Sequence, residues 1–388
     1  MRIHRVKNGE SIYTIAREYC THPLKIMLDN EIESPKKLAE GREILILTPT
    51  RTYTVKRGDT LEAIANRFNV SKSYLYAQNP ELYEAEKLYQ GQLITVKNER
   101  VSLGVGIANG YLYPGYKRER VLRCIPYLTY LTVCNAIFKD GKISTLFDDA
   151  EALEIAAKYS KNPILRIYTT EDTNIYTKEF YDSMLLLTKS RGYEGITLTE
   201  SAVNRNSTPE KMTELKKKLI DSGLTLTVEK DLKKATCCDI ADTVVLCYDK
   251  LHEENIPSFK EGEEKAMTEY AEACGAESSF IELSPFGYTC GKYKEKSELL
   301  AYADKKGGII TCDEDKKILS GTVNQGRRKT AFITTGLDYT RAVLENAAEL
   351  GYLGISFDIM RTPLSYLTMY NALFKTAVAR YHSDFGGM

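Results

Sequence analysis

A pattern that occurs twice near the N-terminus constrains the fold of this chain more than any other feature. The segment HRVKNGESIYTIAREY at 4–19 aligns without a gap with YTVKRGDTLEAIANRF at 53–68, an offset of 49 residues. Further on, LAEGREILIL at 38–47 aligns with LYQGQLITVK at 88–97, an offset of 50 residues. Such self-similarity indicates two copies of one supersecondary unit, with one residue inserted in the loop between the two aligned segments.

Each copy carries the sequence signals of a small βααβ unit. A short strand leads to a Gly turn, and Ser11 or Thr60 then stands where the N-cap of a helix is expected. Apolar residues follow at helical spacing from Ile12 onward, and a second helix and a closing strand complete the unit. We therefore predict one module over 1–49 and a second over 50–98, each with a small core.

The pattern VKxGxS/TxxxIA, followed by Asn and then LxxGxxL/I, resembles the LysM module over the full length of both copies. The resemblance implies binding of N-acetylglucosamine polymers such as peptidoglycan or chitin, in a groove between two loops of each module. The implied glycan-binding candidates are Gly9, Glu10, Ser11, Ile12 and Asn30 in the first copy, and Gly58, Asp59, Thr60, Leu61, Asn79 and Tyr83 in the second. Glycine and asparagine are also typical turn and cap residues, so a structural role for those positions stays open.

Beyond residue 100, short apolar segments alternate with amphipathic helical segments. The strand candidates, in chain order, are 101–106, 127–136, 164–168, 195–199, 224–228, 243–248, 280–283 and 354–357. Eight strands that alternate with helices are typical of a (β/α)8 barrel, so we predict an α/β fold with a TIM-like barrel over 101–388. An open doubly wound sheet is the alternative, but no glycine-rich phosphate turn follows the first strand.

In such a barrel the functional residues follow the C-terminal ends of the strands. The predicted strand ends carry the tyrosine and carboxylate side chains that a glycan or glycosidic site uses. The sugar-binding candidates there are Asn135, Tyr168, Tyr248, Asp249, Phe357 and Asp358. Strand-end caps and salt bridges are the alternative role for several of them.

The order of these segments is similar to that of glycoside hydrolase family 18, and above all to its spore peptidoglycan hydrolases of the N-acetylglucosaminidase type with two LysM modules. The segments that carry the resemblance are YLTYLTVCNAIFKDGKIS at 127–144, ADTVVLCYDKLH at 241–252 and GLDYTRAVLENAAELGYLGISFDI at 336–359. In that family, a strand-four motif GxxGxNxDxE supplies an orienting Asp and a general-acid Glu. Tyr248 and Asp249 match a tyrosine and an aspartate that contact the acetamido group.

The stretch GYEGITLTES at 192–201 keeps the two glycines of that motif but not its carboxylates. The three inward positions hold Thr197, Thr199 and Ser201, so the orienting Asp and the acid are both replaced. A serine cannot supply a proton to a leaving alcohol near neutral pH. Glu200 stands one place early, and strand alternation turns it towards the helices unless a β-bulge rotates it inward.

The sequence therefore supports two main interpretations of function. We predict a peptidoglycan-binding protein of the bacterial spore envelope whose barrel is not catalytic. The alternative is an active glycoside hydrolase in which Glu200, Asp249, Glu229 or Asp358 acts as a rearranged acid, and Glu200, Tyr248 and Asp249 are the catalytic candidates. A barrel with an unrelated function that LysM modules only target is a third possibility.

Composition argues against several other classes of protein. The formal net charge of zero gives no support for nucleic-acid binding, and no apolar run approaches the ~18 residues of a membrane span. Cysteine and histidine lack ligand spacing, so we expect no metal and no cofactor. The start MRIHRVKNGES shows no signal-peptide pattern, so we expect synthesis in the bacterial cytoplasm, with deposition on the spore envelope or cell wall implied by the resemblance.

Overall fold

The computed structural model describes residues 1–79, 82, 88–99, 102–234, 240–248, 258–326 and 328–376. Two candidate residues, Tyr83 and Asp249, lie outside these ranges, so their predicted roles stay predictions.

The two N-terminal modules have the same βααβ order, as the repeat predicts. The first consists of β1 (Arg2–Arg5), α1 (Ile12–Glu18), α2 (Pro23–Asp29) and β2 (Glu43–Ile46), and the second of β3 (Pro49–Thr54), α3 (Leu61–Phe68), α4 (Lys72–Gln78) and β4 (Leu93–Asn98). The two strands of each module pair antiparallel. Ser11 and Thr60 are the N-caps of α1 and α3, and their hydroxyl oxygens accept the backbone N–H groups of Thr14 and Ala63.

The rest of the described chain contains both parallel and antiparallel strands. In chain order these are β5 (Gly104–Leu112), β6 (Tyr130–Lys139), β7 (Lys142–Thr145), β8 (Asn162–Thr169), β9 (Gly195–Thr199), β10 (Thr225–Asp231), β11 (Thr243–Cys247), β12 (Ser279–Glu282), β13 (Phe286–Thr289), β14 (Lys292–Glu295), β15 (Ile309–Asp313), β16 (Ile318–Gln325), β17 (Arg328–Thr335), β18 (Gly354–Asp358) and β19 (Phe374–Thr376). The helices are α5 (Arg118–Cys124), α6 (Ala150–Lys158), α7 (Lys178–Arg191), α8 (Glu200–Asn204), α9 (Pro209–Asp221), α10 (Lys265–Cys274), α11 (Lys296–Lys306), α12 (Leu337–Glu349) and α13 (Leu364–Leu373). None of the helices in the described ranges is long and apolar enough to cross a membrane.

Eight of the described strands close into a parallel barrel, which confirms the predicted fold class. Their order around the barrel is β5, β6, β8, β9, β10, β11, β12 and β18, and the pairing of β18 with β5 closes the ring. Outward residues such as Ile196, Leu198 and Val228 are buried in the main hydrophobic core between the strands and the helices. The alternation of the strands sends every second side chain into the barrel instead.

The first two barrel strands lie a few residues further along the chain than the sequence predicts. The predicted strands 101–106 and 127–136 are observed as β5 and β6, with later starts and ends. The start of the second prediction falls in a short 3-10 helix, Ile125–Tyr127, where Pro126 suits the first turn of a helix rather than a strand. The shift moves the strand ends, and with them the residues that reach the C-terminal face of the barrel.

A small domain between β12 and α12 was not predicted. Its five antiparallel strands have the order β14, β13, β17, β16, β15, and α11 packs on them; we call residues 286–335 the insertion. Several of its strands are largely exposed, so they lack the continuous apolar runs of the barrel strands. Their sequences therefore carry little of the apolar signal that predicts a buried strand.

The first module docks on the insertion. The backbone N–H of Ile310 donates to the carbonyl of Glu40 at 2.8 Å, and the N–H of Ala39 donates to Oδ1 of Asp304 at 2.8 Å. Gly41 lies between them with φ +79°, and a Cβ at this position would stand 1.8 Å from the carbonyl oxygen of Ile310. This contact requires glycine both for its backbone conformation and for the space.

Two acidic residues of the first module cap helices of the barrel. Glu43 accepts the N–H of Leu337, the first residue of α12, at 2.5 Å. Glu31 accepts the N–H of Leu364, the first residue of α13, at 3.1 Å, and also forms an ion pair with Arg120. Neither helix receives a hydrogen bond from the side chain of its own N-cap residue, so the module supplies the acceptors that the first helical turns lack.

The equivalent face of the second module is open. At the offset of 50 residues, Tyr89 and Leu93 correspond to Ala39 and Glu43, and they are 64% and 62% exposed. No described atom lies within 4 Å of a Cβ built on Gly91, the counterpart of Gly41. The second module contacts the barrel instead through α4, whose buried residues belong to the main core.

Candidate functional site

Polar and aromatic side chains from several strands meet inside the barrel at the C-terminal ends of its strands. We call this region the barrel mouth and define it by Tyr111, Tyr168, Glu229, Glu282 and Asp358. Only Tyr168 and Asp358 among these are predicted sugar-binding candidates, and Glu229 is a predicted acid of the alternative mechanism. Burial raises the pKa of Tyr168 to about 12, so its hydroxyl stays protonated and can donate to a ligand.

A bidentate ion pair spans the barrel mouth. Arg166 on β8 donates from Nε to Oε1 and from Nη2 to Oε2 of Glu229 on β10, each at 2.7 Å. The guanidinium also lies 4.1 Å from the centroid of the Tyr168 ring, a cation–π distance. Burial disfavours the charge of Arg166, but the Glu229 carboxylate outweighs this and raises the pKa of Arg166. Both oxygens of Glu229 act as acceptors here, which does not suit a proton donor.

Strand β9 brings no carboxylate to the barrel mouth. It ends at Thr199, whose Oγ1 caps α8 by accepting the N–H of Ala202 at 3.3 Å. Ser201 lies in the first turn of α8, is exposed, and has its Oγ 3.0 Å from that of Thr199. Thr197 is fully buried inside the barrel. Ser201, which stands at the acid position of the strand-four motif, therefore lies in a helix at the rim of the barrel.

Glu200 is the carboxylate of β9 and α8 that stands nearest the predicted acid position. Its Oε1 lies 3.0 Å from Nζ of Lys230, and the Lys230 side chain is buried on the outward face of β10. The described pairing of β9 with β8 and with β10 runs without a register shift. Glu200 is thus directed away from the barrel axis, and no bulge turns it inward.

Asn135 lies at a different place from the predicted one. The residue is in the middle of β6, next to a register shift between Val133 and Ala136, rather than at the strand end. Its amide donates to Asp149 at 2.7 Å, and its Oδ1 accepts the N–H groups of the loop at 146 and 147. Because it is fully buried and fully bonded there, Asn135 holds this loop and is not part of the barrel mouth.

Tyr248 and Phe357 also lie outside the barrel mouth. Strand alternation directs Cys247 and Asp358 inward, which leaves Tyr248 and Phe357 in the core between strands and helices. Burial raises the pKa of Tyr248 to about 12, with the nearby Glu263 carboxylate adding to the effect. Their neighbours occupy the inward positions in this arrangement, and the contacts of these two residues with a sugar stay a prediction.

Asp358 does reach the barrel mouth. Its Oδ1 accepts the N–H groups of Met360 at 2.8 Å and Arg361 at 3.1 Å, and its Oδ2 lies 3.5 Å from Nη1 of Arg361. Burial raises its pKa above the ordinary aspartate value, although these donors oppose the shift. Asp358 therefore orders the loop after β18 while presenting a carboxylate edge to the mouth.

Three residues near the strand ends, Tyr111, Tyr113 and Glu282, are not among the sequence-based candidates. The rings of Tyr111 and Tyr113 stack with centroids 6.4 Å apart and an angle of 23° between their planes. The predicted first strand ends at residue 106, which leaves both tyrosines in a loop. Their spacing of two residues is nevertheless the signal of a continuing strand. Glu282 follows Phe280 by two residues on β12, so the same alternation directs it inward.

The repeated asparagines of the two modules are structural. Asn30 donates to the carbonyls of Ile26 at 2.9 Å and Leu45 at 2.8 Å and accepts the N–H of Leu45. Asn79 makes the same three bonds with Leu75 and Thr95. Their amides tie the second helix of each module to its closing strand. Any contribution to glycan binding would come from the loop backbone that these bonds hold in place.

The acidic residue directly before each N-cap, Glu10 or Asp59, is also bonded within its module. Glu10 accepts the N–H of Lys7 at 2.8 Å and contacts His4 Nε2 at 2.8 Å. Asp59 accepts the N–H of Lys56 at 2.7 Å and the hydroxyl of Tyr53 at 2.8 Å, and these bonds lower the pKa of Asp59. Gly9 and Gly58 precede them with φ of +80° and +85°. Ile12 and Leu61 are buried, whereas Glu10, Ser11 and Asp59 are half-buried and Thr60 is exposed.

The described residues offer no metal site: no group of three or more His, Cys, Asp or Glu side chains within them could hold an ion.

Comparison with known proteins identifies the N-terminal part of the chain. Residues 4–46 and 53–97 each match the family model of the LysM domain. Both N-terminal modules are LysM domains. The chain is also 32% identical over 99 residues to the endolysin of Bacillus phage B103, which covers 24% of this chain and 38% of the endolysin.

Two further comparisons extend beyond the LysM domains. The chain is 27% identical over 252 residues to the putative sporulation-specific glycosylase YdhD of Bacillus subtilis (strain 168), covering 59% of this chain and 58% of YdhD. It thus spans less than two thirds of either curated relative. The crystal structure of the spore cortex-lytic enzyme SleL of Bacillus cereus superposes with a TM-score of 0.70 at 19% identity, over 98% of this chain and all of SleL. The shared fold therefore includes the LysM domains and the barrel together.

Proposed function

We propose that this protein binds peptidoglycan, or another glycan that contains N-acetylglucosamine, in the bacterial spore envelope, and that its barrel does not hydrolyse the glycan. The LysM domains support the binding part of the proposal. The relatives are named a putative sporulation-specific glycosylase and a spore cortex-lytic enzyme, and these names support a location in the spore envelope. The ion pair of Glu200 with Lys230 on the outer side of the barrel carries the non-catalytic part.

Cleavage of a glycosidic bond needs a proton donor within hydrogen-bond reach of the leaving oxygen. Glu200 is directed away from the barrel interior, both oxygens of Glu229 accept from Arg166, and Asp358 accepts from its own loop. A hydroxyl at Ser201 does not replace a carboxylic acid near neutral pH. Losing general-acid catalysis alone costs ~10²–10⁴ in rate, so we expect no measurable turnover.

The barrel mouth nevertheless retains groups that suit a sugar. Tyr113 and Tyr168 offer partly exposed rings, and Asp358 and Glu282 offer carboxylates that can accept hydroxyl protons. A site with these groups and without a placed acid is suited to hold a glycan rather than to cut it.

The test combines a binding assay with a turnover assay on the full chain. The protein is sedimented with insoluble cortex peptidoglycan, and separately incubated with soluble cortex fragments and a chito-oligosaccharide while reducing ends are measured. We expect co-sedimentation and no release of reducing ends. We also expect Tyr83→Ala in the second LysM domain to weaken co-sedimentation, with Tyr293→Ala on the exposed face of the insertion as the matched control.

Clear turnover that disappears in Glu200→Gln would overturn the non-catalytic part of the proposal. Turnover that survives Glu200→Gln but is lost in Glu282→Gln would overturn it as well and would assign the acid to the barrel mouth. Absence of co-sedimentation with any N-acetylglucosamine polymer would contradict the binding part.

A further inference from the structure

A cavity opens at the N-terminal ends of the barrel strands, opposite the barrel mouth. It has a volume of about 310 Å³, and its lining includes Tyr130, Thr225 and Thr243, the first residues of β6, β10 and β11. The N-terminal ends of barrel strands are normally associated with stability rather than function. A volume of this size is nevertheless at the lower end of the range of small-molecule sites.

Hydroxyl and amide groups converge on this cavity where a barrel interior is ordinarily filled by branched apolar residues. Thr132 donates to Oδ1 of Asn109 at 2.8 Å, and the hydroxyls of Thr227 and Thr243 lie 2.8 Å apart. The three threonine hydroxyls keep hydrogen-bonding capacity beyond these bonds, because a hydroxyl can donate once and accept twice.

One buried polar atom of the barrel interior lies near the inner end of the cavity. Among the described residues, Thr197 Oγ1 is one of the side-chain atoms buried without a hydrogen bond. Thr197 faces inward on β9 and is in register with Thr227, which lines the cavity. A buried polar group without a partner is costly, so a polar molecule bound beside Thr197 would be stabilised by supplying that partner.

The lining also defines the charge and shape of a ligand. Tyr130 and Phe280 form an aromatic corner, with ring centroids 6.4 Å apart and an angle of 87° between their planes. Among the described residues of the lining, the charged one is Asp242, which is exposed and uses Oδ2 to accept the N–H of Leu226 at 2.8 Å. Aromatic faces beside neutral hydroxyls suit a molecule with CH groups on one face and hydroxyls on its edge.

We propose that this cavity binds a small neutral polyhydroxylated molecule, no larger than one monosaccharide. Its hydroxyls bond to Thr132, Thr227 and Thr243, and its CH face packs on Tyr130 and Phe280. The site is separate from the LysM domains and from the barrel mouth, so it does not rest on the function proposed above.

The test measures binding of glucose to the full chain by ligand-observed NMR, because glucose lacks the acetamido group that LysM recognition implies. The double variant Thr227→Val/Thr243→Val removes both partners of one hydroxyl pair and leaves neither unpaired. We expect saturable one-to-one binding of glucose to the unaltered chain and about tenfold weaker binding to the variant, as two lost hydrogen bonds predict.

The matched control is Thr170→Val/Thr173→Val, a second pair of hydroxyls 2.8 Å apart that lies beyond the C-terminal end of β8. This control is expected to bind glucose like the unaltered chain. Any of three results would overturn the proposal. These are equal binding of glucose by the cavity variant and the unaltered chain, absence of saturable binding, and crystals soaked in glucose that show density only outside the cavity. Thermal melting of both variants shows whether they remain folded, and a second cavity variant, Tyr130→Ala, is used if the first does not fold.

Discussion

At the residue scale, the change from strand to helix directly after Thr199 decides what Glu200 can do. Thr199 faces the barrel interior and Glu200 the helices, where Lys230 neutralises its charge. Beyond Thr199 the chain turns into α8, so Ser201 no longer follows the strand alternation at all. The loss of the motif therefore includes a change of backbone as well as a change of side chains.

The double variant Thr199→Asp/Ser201→Glu, which restores both carboxylates of the strand-four motif, is expected not to restore hydrolysis. The new Glu would stand on the exposed first turn of α8, and the new Asp would stand beside Glu229, its register partner on β10. Release of reducing ends from chito-oligosaccharides is the measurement, with Ser207→Glu in the loop between α8 and α9 as a folding control. Turnover in the restored variant would show that the backbone still places the motif for catalysis.

Lys161 provides a pH-dependent contribution to stability. It is buried, its Nζ donates to the carbonyl of Leu128 at 2.7 Å, and burial lowers its pKa from 10.5 to about 8. Between these two values the unfolded chain keeps a proton that the folded chain has lost. The free energy of unfolding therefore rises with pH over this interval, by up to about 1.4 kcal/mol per pH unit from this group.

Urea unfolding at pH values from 7.5 to 10.5 checks this, on the unaltered chain and on Lys161→Met. We expect the difference in stability between the two to shift in favour of the lysine by roughly 3 kcal/mol across the interval. Lys189→Met, on the exposed side of α7, is the control and is expected to leave the pH dependence unchanged. Parallel curves for Lys161→Met and the unaltered chain would contradict the assignment.

At the scale of secondary-structure elements, helices of one domain are capped by residues of another. Glu43 and Glu31 of the first LysM domain accept the first N–H groups of α12 and α13. A carboxylate at a helix N-terminus also interacts favourably with the helix dipole, and more strongly where it is partly buried. Both interactions join the N-terminal domain to helices near the end of the barrel. The paired residues are 294 and 333 positions apart in the chain.

Glu43→Gln and Glu31→Gln should each lower the free energy of unfolding by about 1 kcal/mol, because the amide keeps an acceptor oxygen but loses the charge. Chemical denaturation measures the change. Glu18→Gln on the exposed face of α1 serves as the matched control, with an expected change of less than about 0.5 kcal/mol. A loss equal to that of the control would show that the two contacts do not stabilise the helices.

The elements that the sequence predicted are those with strong local signals. The repeat predicts both βααβ modules, and buried apolar runs predict the eight barrel strands. The insertion was missed because its strands expose much of their surface, and Tyr111 and Tyr113 were missed because a predicted strand ended too early. The Arg166–Glu229 pair joins residues 63 positions apart on non-adjacent strands, a contact that no local pattern contains.

At the scale of the whole molecule, the two LysM domains have unequal roles. The loop after the second helix of the first domain contributes Glu31 to the barrel contact, whereas the docking face of the second domain is open around Tyr89 and Leu93. We therefore expect removal of residues 1–48 to destabilise the barrel itself. The amides at the starts of α12 and α13 should exchange with solvent faster, since they lose their acceptors.

Hydrogen exchange on the truncated and full chains measures this effect, and amides at the start of α7, whose cap is its own Thr177, provide the internal control. Exchange that is unchanged in α12 and α13 after truncation would show that the first domain is only attached by its linker.

The contact between Gly41 and Ile310 also bears on how such a chain can evolve. Gene duplication produces two interchangeable copies, but these two have diverged at equivalent positions, with Ala39 and Glu43 in one and Tyr89 and Leu93 in the other. Recombination that exchanged the copies would place a tyrosine ring in the buried site of Ala39 and a leucine at the start of α12. The two copies are therefore no longer interchangeable, because only the first fits both the insertion and the start of α12.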